Sequence, residues 1–230
     1  MEKPREENQE YKQNARYFGQ SNLIQPIGLA LVALAIVLFF SHLGYVSYIL
    51  MSIALPVGIF LAVIGISHEG EVTAHFHCAV EDVGPTFEEE QALKGRLSHK
   101  VGITVAEGFE YREGLALKKS KGGTIYSSRY SKALLYPLTD AVCIYARSIS
   151  LVEEDRREIA EEIPYADIDV FAITTAEDTL TYGKRRFTVK HSTLTVKTHS
   201  GKCFTMPIAD DVTTAALAEF VEKSAAAAKA

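Results

Sequence analysis

Three histidines and a cysteine fall within twelve residues, SHEGEVTAHFHC, Ser67 to Cys78. Imidazole nitrogen and thiolate sulfur are ordinary zinc ligands, so metal binding is the first chemistry to test. From Glu71 to Val80 the residues alternate, with Val72, Ala74, Phe76, Cys78 and Val80 set against Thr73, His75 and His77. A period of two predicts a strand, with His75 and His77 on one face and Cys78 on the other. Two histidines make half of a four-ligand site, and no CxxC or HxxxH completes it. The expected state is the first strand of a soluble domain, or its lead-in, with the histidines on the solvated or interfacial face, and no metal or other cofactor is expected. The alternative, a membrane-tethered enzyme or metal protein using His75 and His77, needs a third ligand such as His99 brought in by folding.

The second cluster is TYGKRRFTVKH, Thr181 to His191, which gathers Lys184, Arg185, Arg186 and Lys190 around a turn. Such a patch can hold an anionic lipid headgroup, at about 1 kcal/mol per basic side chain near the surface. The simpler use is a solvated hairpin whose cations protect a strand edge. Lys118, Lys119 and Lys121 form a weaker cluster of the same kind. Enzyme signatures are absent from the sequence: no GxSxG, HExxH, GxxxxGK[ST] or GxGxxG occurs. The Gly-Lys pairs at 183–184 and 201–202 fall at expected hairpin turns, where glycine supplies a positive φ. Cys143 and Cys203 lie on or beside apolar strand positions and are expected to be buried, inert thiols. No catalytic residue emerges, and the chain reads as non-enzymatic.

These residues must be positioned by two kinds of element. No Lys, Arg, Asp or Glu occurs from Tyr17 through His68. Two apolar runs lie there, Leu23 to Phe40 and Tyr45 to Ile66. Each approaches the roughly 20 residues that a helix needs to cross about 30 Å of hydrocarbon. The short connector Ser41 to Gly44 makes them a tight transmembrane hairpin spanning residues 21–67, after a tail of residues 1–20. The tail carries Lys3, Arg5, Lys12 and Arg16, while the connector carries no basic residue, so both termini are expected in the cytoplasm. Three widely spaced cysteines agree with a reducing compartment. The expected location is the inner membrane, with the bilayer as one partner.

The remaining chain carries the whole net charge of −5, which argues against nucleic acid as a partner. Thr86 and Glu89 form a capping box that starts a short helix after Pro85. From Val101 to Ile208 short alternating segments and glycine turns predict antiparallel strands. Leu217, Phe220 and Val221 then follow at helical spacing, capped by Asp210 or Asp211, and the alanine-rich end is expected to fray. Residues 68–138 supply a juxtamembrane strand, the helix and early strands, and 139–230 the domain core. The fold class is α+β.

The strand CIYARSISL, the element EEIPYADIDVF, the hairpin LTVKTHSGKCFTMPI and the final helix together resemble a bacterial pleckstrin-homology-like domain of the GRAM type. The resemblance covers about residues 139–225. It implies a partial barrel capped by the C-terminal helix, with Ile163 and Ile168 in the core and Asp167 capping a backbone turn. It also implies a membrane-anchored interaction module that binds a protein partner or self-associates.

Overall fold

The computed structural model describes residues 3–19, 21, 23–40, 44–65, 69–120, 122–208 and 212–229. The expected connector 41–43, His68, Lys121 and the caps Asp210 and Asp211 lie outside the described residues. The chain divides into two compact units, residues 1–73 with 119–124, and residues 74–118 with 125–230.

The first unit contains α1 (Lys3–Gly19), α2 (Ile24–Phe40) and α3 (Tyr45–Ile64). The segment expected as a plain tail is thus largely helical. Helices α2 and α3 pack closely because Gly28 and Gly58 have no side chains. A Cβ on Gly28 would lie 2.3 Å from the Ala62 backbone nitrogen, and one on Gly58 would lie 2.9 Å from the Gly28 carbonyl oxygen. The large side chains of both helices point away from this seam, and Leu23, Val37, Phe40, Tyr45, Val46, Phe60 and Val63 are exposed. By length and composition α3 is sufficient to cross a membrane.

The histidine-rich segment from Glu69 onward is a helix. α4 spans Glu69–Val80, so the expected strand is overturned. Val72, Phe76 and Val80 are buried while Ala74 and Cys78 are exposed. Positions four apart satisfy a period of two as well as a helical period, and the buried residues use only the latter. Phe76 packs edge-on against Phe109 at 4.9 Å between ring centroids and lies 5.3 Å from Tyr130. Positions 75 and 77 of a helix stand about 200° apart around its axis, so the shared histidine face does not form.

α5 (Phe87–Lys94) carries the expected capping box: Glu89 N–H donates to Thr86 Oγ1, and Thr86 N–H donates to Glu89 Oε2 at 2.7 Å. Next come β1 (Thr104–Phe109), β2 (Leu117–Lys119), β3 (Ile125–Ser127), β4 (Arg129–Pro137), β5 (Ala141–Ser150) and β6 (Arg156–Pro164). A 3-10 turn at Tyr165–Asp167 leads into β7 (Ile168–Tyr182), β8 (Arg185–Thr198), β9 (Cys203–Ile208) and α6 (Val212–Lys229). The strands form a four-stranded antiparallel sheet β1-β4-β5-β6, a three-stranded sheet β7-β8-β9 and the small hairpin β2-β3. Among the described residues no sheet closes into a barrel. β1 and β4 belong to the same sheet as β5 and β6, so a boundary at residue 138 cuts through it.

The main core lies between the two larger sheets and α6. Leu135, Val142, Ile144, Ile163, Ile168, Phe171, Leu194, Val196, Leu217 and Val221 meet there. Ile163 and Ile168 are buried as expected, at the corner where Pro164 ends one sheet and the chain enters the other. Asp167 caps through its backbone oxygen, which accepts from His199 N–H at 2.8 Å, and through its carboxylate, which accepts from Ser200 Oγ at 3.3 Å. α6 does not stop early: Ala225 continues the buried stripe of Leu217 and Val221 and is itself buried.

The β7–β8 hairpin changes its buried face along its length. Near β9, Phe171 pairs with Val196 and Ile173 with Leu194, all turned to the main core. Toward the tip, Leu180 pairs with Phe187 and Asp178 with Val189 on the opposite face. There Leu180, Phe187 and Val189 join Leu117, Tyr111, Ile125 and Tyr182 in a second cluster. Leu117 of β2 and Ile125 of β3 cover that opposite face near the tip.

Candidate binding cleft

The four cations expected as a site do not share one face. Arg186 and Lys190 lie on the exposed face of the distal β8, with Lys190 paired to Glu177, while Arg185 follows the tip turn on the other face. Lys184 sits in the two-residue tip beside Gly183, whose φ is 60°. The carboxylate opposite Lys190 halves the net charge of that end of the face. Of the thiols, Cys143 is buried, and burial raises its pKa, whereas Cys203 is exposed at the start of β9, contrary to expectation. A buried site requires apolar neighbours on both sides, and the edge position of β9 leaves Cys203 without them. Among the described residues no three His, Cys, Asp or Glu side chains converge as metal ligands would.

The structure instead opens a cleft of about 500 Å³ within the second unit. Its floor is the inner face of the four-stranded sheet. At one level that face carries Leu135 and Ile144, which fill the core. The next level is Ala106, Ala133, Ala146 and Ile159, paired in register across four strands. The level beyond is Gly108, Ser131, Ser148 and Arg157. Interiors are normally close-packed, so small residues on adjacent strands leave room that facing side chains must fill. The facing wall is Phe204, Met206 and Pro207 of β9 with His191 and Thr193 of β8, and it does not fill it. Glu110, Tyr111 and Arg112, just after β1, complete the lining.

A polar network fixes one end. Glu110 Oε1 accepts from Ser131 Oγ and from Ser148 Oγ, the latter at 2.5 Å. Ser148 Oγ accepts in turn from Arg129 Nε at 2.8 Å. Arg129 is only 4% exposed, and its Nη2 forms an ion pair with Asp155 Oδ2 at 2.8 Å. The hydrogen bond from Arg129, its charge, and the charges of Arg157 and Arg112 hold the Asp155 carboxyl below its ordinary range. Three guanidinium groups thus surround two carboxylates. Tyr111 donates to the Ile125 carbonyl at 2.7 Å, and burial pushes its pKa up to about 12. The His191 ring lies 5.4 Å from that of Tyr111, tilted by 47°, and its buried Nδ1 has no hydrogen-bond partner among the described residues. Both serine hydroxyls donate to the Glu110 carboxylate, which orients them.

A separate network braces the outside of the same sheet. Arg147 donates to the Ala79 carbonyl at 3.1 Å, to Asp82 and to Glu158 Oε1 at 2.8 Å. It thereby places a cation at the C-terminal end of α4, where the helix dipole favours one. Arg96 binds Glu162 Oε1 at 2.7 Å and Asp140 Oδ1 at 3.0 Å.

Comparison with family models, curated proteins and solved structures gives no match for this chain. Its functional reading therefore rests on the residues and geometry above.

Proposed function

We propose that the chain is a membrane-anchored, non-enzymatic module of the pleckstrin-homology-like type, which binds a protein partner or self-associates at the inner face of the membrane. The observation that carries the anchor is the α2–α3 pair. Its seam is made by glycines, and its large apolar side chains face outward with no charge among them. In water so much contiguous apolar surface is costly, whereas hydrocarbon accepts it. Small residues at a helix–helix seam suit packing in lipid, where backbones gain by close approach. The module type is supported by the four- and three-stranded sheets joined at the Pro164–Asp167 corner, with α6 on the core between them.

The test uses the native thiol of Cys203 in the full chain expressed in a bacterial host. The protein should stay in the membrane pellet after alkaline carbonate washing. A membrane-impermeant maleimide should label Cys203 in inverted vesicles and leave it unlabelled in intact spheroplasts. Release by carbonate would remove the anchor. Labelling in spheroplasts would place the module on the opposite side. Native mass spectrometry of the same preparation in nanodiscs should show a second copy or a co-purified protein; a bare monomer would reject the association.

A further inference from the structure

The cleft of the second unit has a shape and a charge pattern that specify a ligand class. We propose that it binds a single-chain amphiphile with one anionic head, of the long-chain carboxylate type. This does not depend on the membrane anchor. The volume of about 500 Å³ lies within the roughly 300–1,000 Å³ usual for small-molecule sites. Deep in the cleft the lining is apolar: Ala133, Ala146, Ile159, Phe204, Met206 and Pro207. An alkyl chain fills such a space with no unmet hydrogen bond.

The polar end is cationic. Arg112 and Arg157 are exposed, Arg129 stands behind them, Glu110 and Asp155 oppose the three, and Asp178 lies 3.6 Å from His191 Nε2. Glu110 already accepts two serine hydroxyls, and Asp155 lies beside Arg129 and Arg157. Arg112 and Arg157 keep donors to spare, and guanidinium forks match a carboxylate in two-point geometry. His191 Nδ1 adds a polar atom that is buried and unbonded among the described residues, in the same lining. The occupant is thus apolar along its length and anionic at its end. A neutral sterol meets only the first of these conditions, and a neutral sugar meets neither.

Cys203 lines the cleft and is exposed, whereas Cys78 is exposed on α4 outside it, so the chain carries its own reporter and control. The full chain in lipid nanodiscs is alkylated with a maleimide, and each cysteine peptide is followed by mass spectrometry. Hexadecanoate should slow Cys203 alkylation at least fivefold, saturably, and leave Cys78 unchanged. Hexadecanol, which enters the bilayer but carries no charge, should protect at least tenfold more weakly. Ala146→Leu, which fills the cleft, should abolish protection, and Arg157→Ser should shift its midpoint about tenfold upward. Equal slowing at both cysteines, equal protection by hexadecanol, or full protection in Ala146→Leu would each overturn the assignment. A photoactivatable hexadecanoate analogue gives an independent readout if a variant misfolds. Crosslinks in wild type should map to β6 and β9; crosslinks confined to α2 and α3 would reject the cleft.

Discussion

At the scale of single residues, the side chains that hold this molecule together are arginines rather than the histidines that draw attention in the sequence. Arg129 is buried between Glu110, Ser148 and Asp155. Removing it leaves two carboxylates near a low-dielectric sheet face, and charge-assisted hydrogen bonds are worth about 1.5–3 kcal/mol. Arg129→Ala should therefore lower stability by about 2 kcal/mol in denaturant titration, while Lys184→Ala at the exposed hairpin tip should change it by less than about 0.5 kcal/mol. The same arginines set the acid limit. Asp155, Asp82 and Glu158 all have depressed pKa values, chiefly through hydrogen bonds from Arg129, Arg147 and Arg156. Their contribution is fully present above the ordinary values of 3.8 and 4.5 and is lost as pH falls through the lower folded values. Unfolding monitored by circular dichroism should begin below about pH 4, and Arg147→Met should move its midpoint upward. Nothing in the one-dimensional pattern distinguishes Arg129 and Arg147 from solvent-facing strand cations. Their burial depends on strand register, Arg129 opposite Ser150 and Arg147 opposite Lys132, which local sequence does not encode, so these parts of the site were not legible.

At the scale of elements, local rules performed unevenly for a physical reason. The capping box of α5 and the glycine turns depend on neighbours within four residues, and both were readable from the sequence. α4 was not, because Val72, Phe76 and Val80 fit two periods at once and tertiary packing chose between them. The α2–α3 seam gives a sharp test. Gly28→Val should drive the helices apart, since its Cβ would meet backbone at 2.3 Å. Overpacking of this kind costs about 1–3 kcal/mol or more. Thermal melting of the helical signal in nanodiscs should show it, with the outward-facing Leu34→Ala close to wild type. At the hairpin tip, Gly183→Val should cost about 1 kcal/mol because a β-branched residue resists the positive φ.

At the scale of the molecule, the second unit depends on contacts across its length. Leu217 and Val221 of α6 are completely buried against residues from both sheets. Leu217→Ala should cost about 3 kcal/mol, and near-ultraviolet dichroism and hydrogen exchange should lose protection in both sheets together. Loss confined to α6 would mean that the helix is a separate cooperative unit. The α+β class and the late hairpins followed from alternation in the chain. The continuation of the sheet through β1 and β4 did not, because the β2–β3 hairpin interrupts the pattern between them.

The switch of buried face along β7 and β8 limits how this arm can change in length over generations. One extra residue in one strand destroys the register. One extra residue in each strand, between the main core and the distal cluster, restores the register but turns Leu180, Phe187 and Val189 toward solvent. Two in each strand preserves both. Natural variants of the arm should therefore differ there by even, matched steps, and a library of insertions at residues 174–178 and 189–193 should yield folded protein only for those combinations.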